Sequence, residues 1–167
     1  MSKILERFVF KAVMQHVLHN GLLSTSQFGF RSGSSTQEAI LAVTRDWHGA
    51  LENRESVVCV FFDLSKAFDS LSHALIMRAL IRVGVRGKLL LWFQDYLANR
   101  KQFVVFQGAE SSVIPVTSGV PQGSILGPLL FILLVAPVTS LSISRSAVIR
   151  LFADILSITS QLPLQQT

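Results

Sequence analysis

Cysteine is nearly absent from this chain: Cys59 is the only one in 167 residues. One thiol closes no internal disulfide and builds no cysteine-based zinc site. It lies in an apolar run, residues 57–62, and reads there as a small buried side chain. The histidines His16, His19, His48 and His73 are scattered. His16 and His19 share a helical i, i+3 spacing, but no third ligand accompanies them. Charge is scarce too. Asp, Glu, Lys and Arg make up 15% of the chain, against about 25% in an average soluble domain. Apolar surface is therefore expected to be exposed, as on a chain lacking a partner domain. Long apolar runs are also missing. The most apolar stretch, residues 125–138, is broken by Gly127, Pro128 and Pro137. It is shorter than the roughly 20 residues of a membrane span and reads as a buried helix. Residues 1–7 mix charges and lack the apolar core of a signal peptide. The expectation is an intracellular chain with no membrane partner.

What is present fits one domain with a real core. Half the residues are apolar and the net charge is +5, with an isoelectric point near 10. That balance suits a polyanionic partner, although an ordinary basic surface gives the same totals. No repeat or long linker is visible. Apolar positions Ile4, Leu5, Phe8, Val9, Ala12, Val13 and Val17 predict an amphipathic helix over residues 2–19, stopped at Asn20-Gly21. Residues 27–35 form a Gly/Ser loop around Arg31. Ser35-Thr36-Gln37-Glu38 predicts a capped start for a helix over 36–53, with Ala39, Ile40, Val43, Trp47, Ala50 and Leu51 on one face. A strand over 57–62 follows, then helices over 72–83, stopped at Gly84, and 88–98. Residues 102–106 and 113–117 predict a hairpin with a longer loop. Residues 121–135 begin as a turn and continue as a buried helix. Strands over 148–152 and 155–159 put Asp154 at a hairpin turn. Strands and helices without regular βαβ alternation favour an α+β fold.

Three segments carry chemistry. The first is Val60-Phe61-Phe62-Asp63-Leu64-Ser65-Lys66-Ala67-Phe68-Asp69, where a strand delivers a carboxylate at its end. The second is Ser118-Gly119-Val120-Pro121-Gln122-Gly123-Ser124-Ile125-Leu126-Gly127-Pro128. The third is Leu151-Phe152-Ala153-Asp154. Carboxylates at strand ends can hold hard cations against phosphate, and phosphoryl transfer needs little else from a protein. Glycines in the second segment permit close backbone approach, and the Gln122 amide both donates and accepts.

In this order and spacing the segments resemble the polymerase palm of a reverse transcriptase, in particular that of non-LTR (LINE-type) retrotransposons. The resemblance implies an antiparallel palm sheet packed on helices, with part of the fingers and no thumb. Residues 1–55 would be the fingers portion and 56–167 the palm portion. It implies RNA-directed DNA synthesis by two-metal catalysis with Mg2+ or Mn2+. Asp63 and Asp154 would be catalytic metal ligands, with the Leu64 carbonyl as a third. Phe68 would be the aromatic gate under the sugar that excludes a 2′-hydroxyl. Gln122 and Gly123 would lie against nucleotide and template. Gln27-Phe28-Gly29-Phe30-Arg31-Ser32-Gly33-Ser34-Ser35-Thr36 resembles the fingers segment, with Arg31 a cation for phosphate. Lys66, Arg100 and Lys101 would touch nucleic acid, although an exposed lysine at a helix start explains Lys66 equally and a solvated turn is the usual role of a pair like Arg100-Lys101. Asp69, six residues from Asp63, reads as structural, capping or pairing locally. The implied partners are an RNA template, a DNA primer and deoxynucleoside triphosphates.

The chain departs from the family pattern at one decisive place. The third motif normally reads aromatic-Ala-Asp-Asp, and here Ile155 follows Asp154. Substitution of Asp by Ile and loss of one codon both fit. The run Ile155-Leu156-Ser157-Ile158 is what would follow a complete pair, which favours deletion. Deletion in a tight hairpin is expected to shift register and invert one strand's facing. Residues 133–137 also lack the polar residues usual there, and the later palm strands and thumb have no counterpart. The expectation is a polymerase fragment of low or no activity. The alternative is a non-catalytic nucleic-acid-binding remnant of a retrotransposon.

Overall fold

The computed structural model describes residues 2–31, 33–141 and 147–163; Ser32 of the fingers-like segment lies outside them. In chain order the elements are α1 (Ser2–His19), α2 (Thr36–Glu52), β1 (Glu55–Asp63), α3 (His73–Arg82) and α4 (Gly87–Leu97). There follow β2 (Lys101–Gln102), β3 (Val105–Phe106), β4 (Ala109–Glu110) and β5 (Ile114–Pro115). Last come α5 (Leu126–Val135), a 3-10 helix (Ala136–Ser140), β6 (Ala147–Phe152) and β7 (Ile155–Pro163). This is the expected α+β mixture of helices and antiparallel sheet. Contacts divide it into two compact units: residues 1–17 with 66–134, and residues 18–65 with 135–167.

The first unit is mainly helical. The second half of α1 buries Val13, Met14 and Val17, while Ile4, Leu5 and Phe8 are exposed. The helical period of the sequence is thus right, but only part of its apolar stripe finds a core. Gly84, at φ +91, ends the turn after α3, where a side chain would be strained. α5 buries residues all round, from Leu126 to Leu133, as a helix apolar on every face must. Between α4 and α5 the single hairpin read from the sequence is two short ladders. β2 pairs with β5, and β3 pairs with β4 inside them. The inner turn is Gln107-Gly108, both at positive φ, the geometry that matches strand twist in a two-residue connection.

The second unit holds a three-stranded antiparallel sheet in the order β1-β7-β6. α2 packs on β1 and β6. Its start is fixed by a reciprocal capping box: the Glu38 amide donates to Ser35 Oγ at 3.2 Å, and the Ser35 amide donates to Glu38 Oε2 at 2.9 Å. An ion pair between Asp46 and Arg150 joins α2 to β6. Strand β1 is longer than its apolar run predicts, and it is more exposed: Val58, Val60, Phe61 and Phe62 are all largely open. Cys59 is half-buried rather than enclosed, with its sulfur 3.3 Å from Thr159 Oγ1. Among the described residues no helix is long and apolar enough to cross a membrane.

Candidate active site

β1 and β7 pair without a break from Glu55↔Pro163 to Asp63↔Ile155. β6 and β7 pair from Ala147↔Ser160 to Phe152↔Ile155. Two residues, Ala153 and Asp154, therefore make the whole turn. Ala153 takes a positive φ of 52°, a position a residue with Cβ adopts only at some cost. The turn puts Asp154 beside the end of β1, and the Leu64 amide donates to the Asp154 carbonyl at 3.1 Å. Asp63, Leu64 and Asp154 thus meet at one end of the sheet. Asp63 is exposed and Asp154 partly so. The residue facing Asp63 across the ladder is Ile155, 43% exposed. Among the described residues no three His, Cys, Asp or Glu side chains gather as a metal cage.

The loop before α2 supports this turn from the other side of the sheet. Gln27 bridges Leu151 in parallel fashion. The Leu151 amide donates to the Ser26 carbonyl at 2.9 Å, and the Phe28 amide donates to the Leu151 carbonyl at 2.8 Å. Gln27 is fully buried and its Nε2 donates to the Gly29 carbonyl at 3.1 Å. Gly29 then lies against Phe152 and Ala153 so closely that a Cβ would overlap the Ala153 backbone. Arg31 is half-buried, and one guanidinium N–H donates to the Ser24 carbonyl at 3.0 Å. Neither Gln27 nor Gly29 was singled out from the sequence; the one available signal was a glycine inside a loop beside a fingers-like Arg.

In the helical unit the segment after Phe68 is zipped to residues 118–122. The Gly119 amide donates to the Leu71 carbonyl at 2.7 Å, and the Val120 amide to the Phe68 carbonyl at 3.0 Å. Ser118 Oγ donates to the Asp69 carbonyl at 3.1 Å, and Gln122 Nε2 to Asp69 Oδ1 at 3.4 Å. His73 Nε2 bonds the Gly119 carbonyl at 2.9 Å. Gly119 has φ +83, and a Cβ there would sit 2.7 Å from the Asp69 carbonyl oxygen, so only glycine allows this approach. Asp69 is structural, as its position implied, but its partner is 53 residues away rather than local. Phe68 is half-buried and rests on Phe131, with ring centroids 5.2 Å apart. Gln122 and Gly123 are exposed. Lys66 is exposed at φ 52 in a turn, not at a helix start; α3 begins only at His73.

Arg100 and Lys101 part company. Lys101 is exposed in β2, whereas Arg100 is half-buried. Arg100 Nε donates to the Tyr96 carbonyl at 2.7 Å, and its guanidinium lies 4.8 Å from the Tyr96 ring centroid. The other face of the story is Glu6, a buried acid in α1 that the sequence gave no reason to notice. Its Oε2 accepts from the Ile125 amide at 2.8 Å and from the Tyr96 hydroxyl at 3.4 Å. Burial pushes the Tyr96 hydroxyl above its usual pKa, and the Glu6 charge adds to that; a hydrogen bond with Ser124 and the Arg100 charge oppose it.

Comparison with known proteins decides what this arrangement belongs to. The family described as Reverse transcriptase (RNA-dependent DNA polymerase) matches residues 1–165. The chain belongs to the reverse transcriptase family. Its relatives include the probable RNA-directed DNA polymerase from transposon X-element of Drosophila melanogaster, 30% identical over 95% of this chain and 18% of that protein. The polymerase from mobile element jockey of the same organism is 33% identical over 78% of the chain and 14% of that protein. This reverse transcriptase chain therefore spans less than a fifth of the length of these retrotransposon relatives. Among solved structures, an apo telomerase from Candida tropicalis superposes with a TM-score of 0.65 at 14% identity, over 93% of this chain and 33% of that one. At that identity the likeness concerns the fold, which is of the polymerase palm and fingers type.

Proposed function

We propose that this chain is the partial fingers (1–55) and palm (56–167) of an RNA-directed DNA polymerase, extending a DNA primer on an RNA template by nucleotidyl transfer. The observation that carries the reading is the meeting of Asp63 and Asp154 at one end of the β1-β7-β6 sheet, closed by the Leu64–Asp154 backbone bond. Enzymes of the family generally use divalent metal. Two hard carboxylates suit Mg2+ or Mn2+, since such ions take one or two carboxylates plus substrate phosphates, and the Leu64 carbonyl would be a further oxygen. When bound, the ions supply the charge that activates the primer hydroxyl and steadies the departing phosphate.

The remaining roles fall to side chains of this chain. Phe68, held by Phe131, would present a ring that leaves no room for a 2′-hydroxyl and so selects deoxynucleotides. Gln122 keeps donor and acceptor capacity beside its bond to Asp69 and, with Gly123, would lie against the nucleotide. Arg31 has guanidinium N–H groups beyond the one given to Ser24 and would meet phosphate. Lys66 and Lys101, both exposed, would contact the nucleic-acid backbone; Arg100 would do so while anchored on Tyr96.

Ile155 favours a second reading. An apolar side chain where the family places a second carboxylate removes negative charge from the site, as in a non-catalytic nucleic-acid-binding remnant. Primer extension on an RNA template, with Mg2+ and separately Mn2+, tests both. The native chain is expected to extend weakly or not at all. Ile155→Asp, or insertion of Asp after Asp154, is expected to raise extension, and Asp63→Ala to abolish it in either background. Silence from both repaired chains, with RNA still bound at low salt, would replace the polymerase reading by the remnant.

A further inference from the structure

Trp47 has an indole N–H that is buried and meets no acceptor among the described residues. A buried indole normally finds a partner, because an unmade hydrogen bond forfeits the one that water would supply. The side chain lines a cavity of about 350 Å³ between α2 and the sheet, inside the second unit. Small residues make the room. α2 offers Val43 and Ala39, one and two turns before Trp47 on the same helical face, and β7 offers Ser157 where its polar face turns inward. Rings frame the space: Phe28, Phe61 and Phe152 line it together with Trp47. The charged residue in the wall is Arg150, and its ion pair with Asp46 cancels that charge. Thr44, also in the wall, spends its hydroxyl on the Ile40 carbonyl at 3.0 Å. Ile40 and Ile155 line the cavity too and are 59% and 43% exposed, so it opens to solvent.

We propose that this cavity is a binding site for a small, neutral, flat aromatic molecule bearing one hydrogen-bond acceptor, which meets the Trp47 N–H. Apolar and aromatic walls with a single placed polar group are the make-up of a small-molecule site. An apolar cavity of about 150 Å³ takes up benzene, so this one has room for two fused rings. Rings on the sheet wall, Phe61 and Phe152, and on the helix wall, Trp47, favour an aromatic ligand, whose faces and edges they can pack against. Neutrality follows from the Asp46–Arg150 pair: a charged ligand would lose its water here and gain no free countercharge. The site does not depend on the polymerase reading, since no nucleic acid, metal or deoxynucleotide enters it.

Quinoline and naphthalene are the probes: both have the same two-ring shape, and only quinoline carries an acceptor. In proton–nitrogen correlation spectra of the full chain, quinoline is expected to shift the Trp47 indole resonance saturably. The chain has two tryptophans, so Trp92→Phe assigns that resonance. Calorimetry gives the affinities. Trp47→Phe removes the donor and is expected to weaken quinoline about 2- to 10-fold relative to naphthalene; the ratio cancels any change of cavity size felt by both. Ser157→Leu fills the cavity from the sheet, and Ala39→Leu fills it from the helix should the first variant fail to fold. Either is expected to exclude both probes. No saturable shift at Trp47, equal losses of both probes in Trp47→Phe, or unchanged binding in both filled variants would overturn the site. A Trp47 resonance that moves with protein concentration and with neither probe would put a second copy of the chain in the cavity, and overturn it as well.

Discussion

Gly29 and Gly49 are both glycines in the sheet unit, and their neighbours assign them opposite tolerances. At Gly29 a Cβ would fall on the Ala153 backbone, within 2.8 Å of its Cα. At Gly49, inside α2, a Cβ would meet nothing within 4 Å. Gly29→Ala must therefore push the loop off the Asp154 turn, and overpacking of this kind costs about 1–3 kcal/mol. Gly49→Ala removes backbone freedom from the unfolded chain and is expected to add about 0.5–1 kcal/mol. Urea unfolding of both variants checks the pair; a neutral Gly29→Ala would mean the loop is not seated against the turn. The contrast also marks what the sequence could tell. Ser35 and Glu38 announced their helix start because a capping box is local, three residues wide. The role of Gly29 depends on a strand some 120 residues away, and no local pattern encodes that. Asp69 is the same case: its position said structural, but only the tertiary fold names Gly119 and Gln122 as its partners.

At the scale of elements, β7 is folded with its polar face inward. Ser157 and Thr159 are 6% and 2% exposed. They share a face with Phe61 and Arg150, the face that α2 covers. Leu156 and Ile158 point to the opposite face, with Phe62 and Ile149. A mainly apolar cavity of about 350 Å³ lies where Ser157, Phe61 and Trp47 line the α2 side. Cross-strand partners share a face, so one added residue after Asp154 would reverse the strand. Leu156 and Ile158 would then take the places of Ser157 and Thr159, and Asp would replace Ile155 opposite Asp63. This facing is the inversion expected from a lost codon, and it supports deletion over substitution. Although β1 and β7 run further than the sequence predicts, the strands of this sheet and the turn at Asp154 were legible from alternation and turn residues. Which face β7 buries was not, because its residues alternate correctly in either register. Insertion of Asp after Asp154 is expected to stabilise the fold by about 1–2 kcal/mol through apolar burial, whereas Ile155→Asp leaves the facing unchanged. Chemical denaturation of the two repaired chains decides it: Ile155→Asp as stable as the insertion would argue for substitution.

Across the whole molecule, a net charge of +5 is set against much open apolar surface. β1 concentrates the problem. It lies at the edge of the β1-β7-β6 order among the described residues, runs nine residues, and has no proline or charge between Ser56 and Phe62. Val58, Val60, Phe61 and Phe62 are exposed along it. Natural sheets protect such an edge with lysine, proline or a covering element, because unpaired backbone groups beside apolar side chains recruit other strands. The general basic charge opposes association through long-range repulsion, but it is screened within about 8–10 Å at physiological salt. Self-association is therefore expected to grow with salt, the reverse of nucleic-acid binding, which weakens as salt rises. The two can be separated by one substitution. Val58 is 48% exposed and faces Ser160 across the ladder, so Val58→Lys places a charge on the edge without emptying a core. Sedimentation at rising salt is expected to show the native chain forming larger species and Val58→Lys remaining smaller, with thermal stability little changed. If both associate alike, the contact lies elsewhere on the apolar surface, and the exposed Ile4, Leu5 and Phe8 of α1 become the next residues to charge.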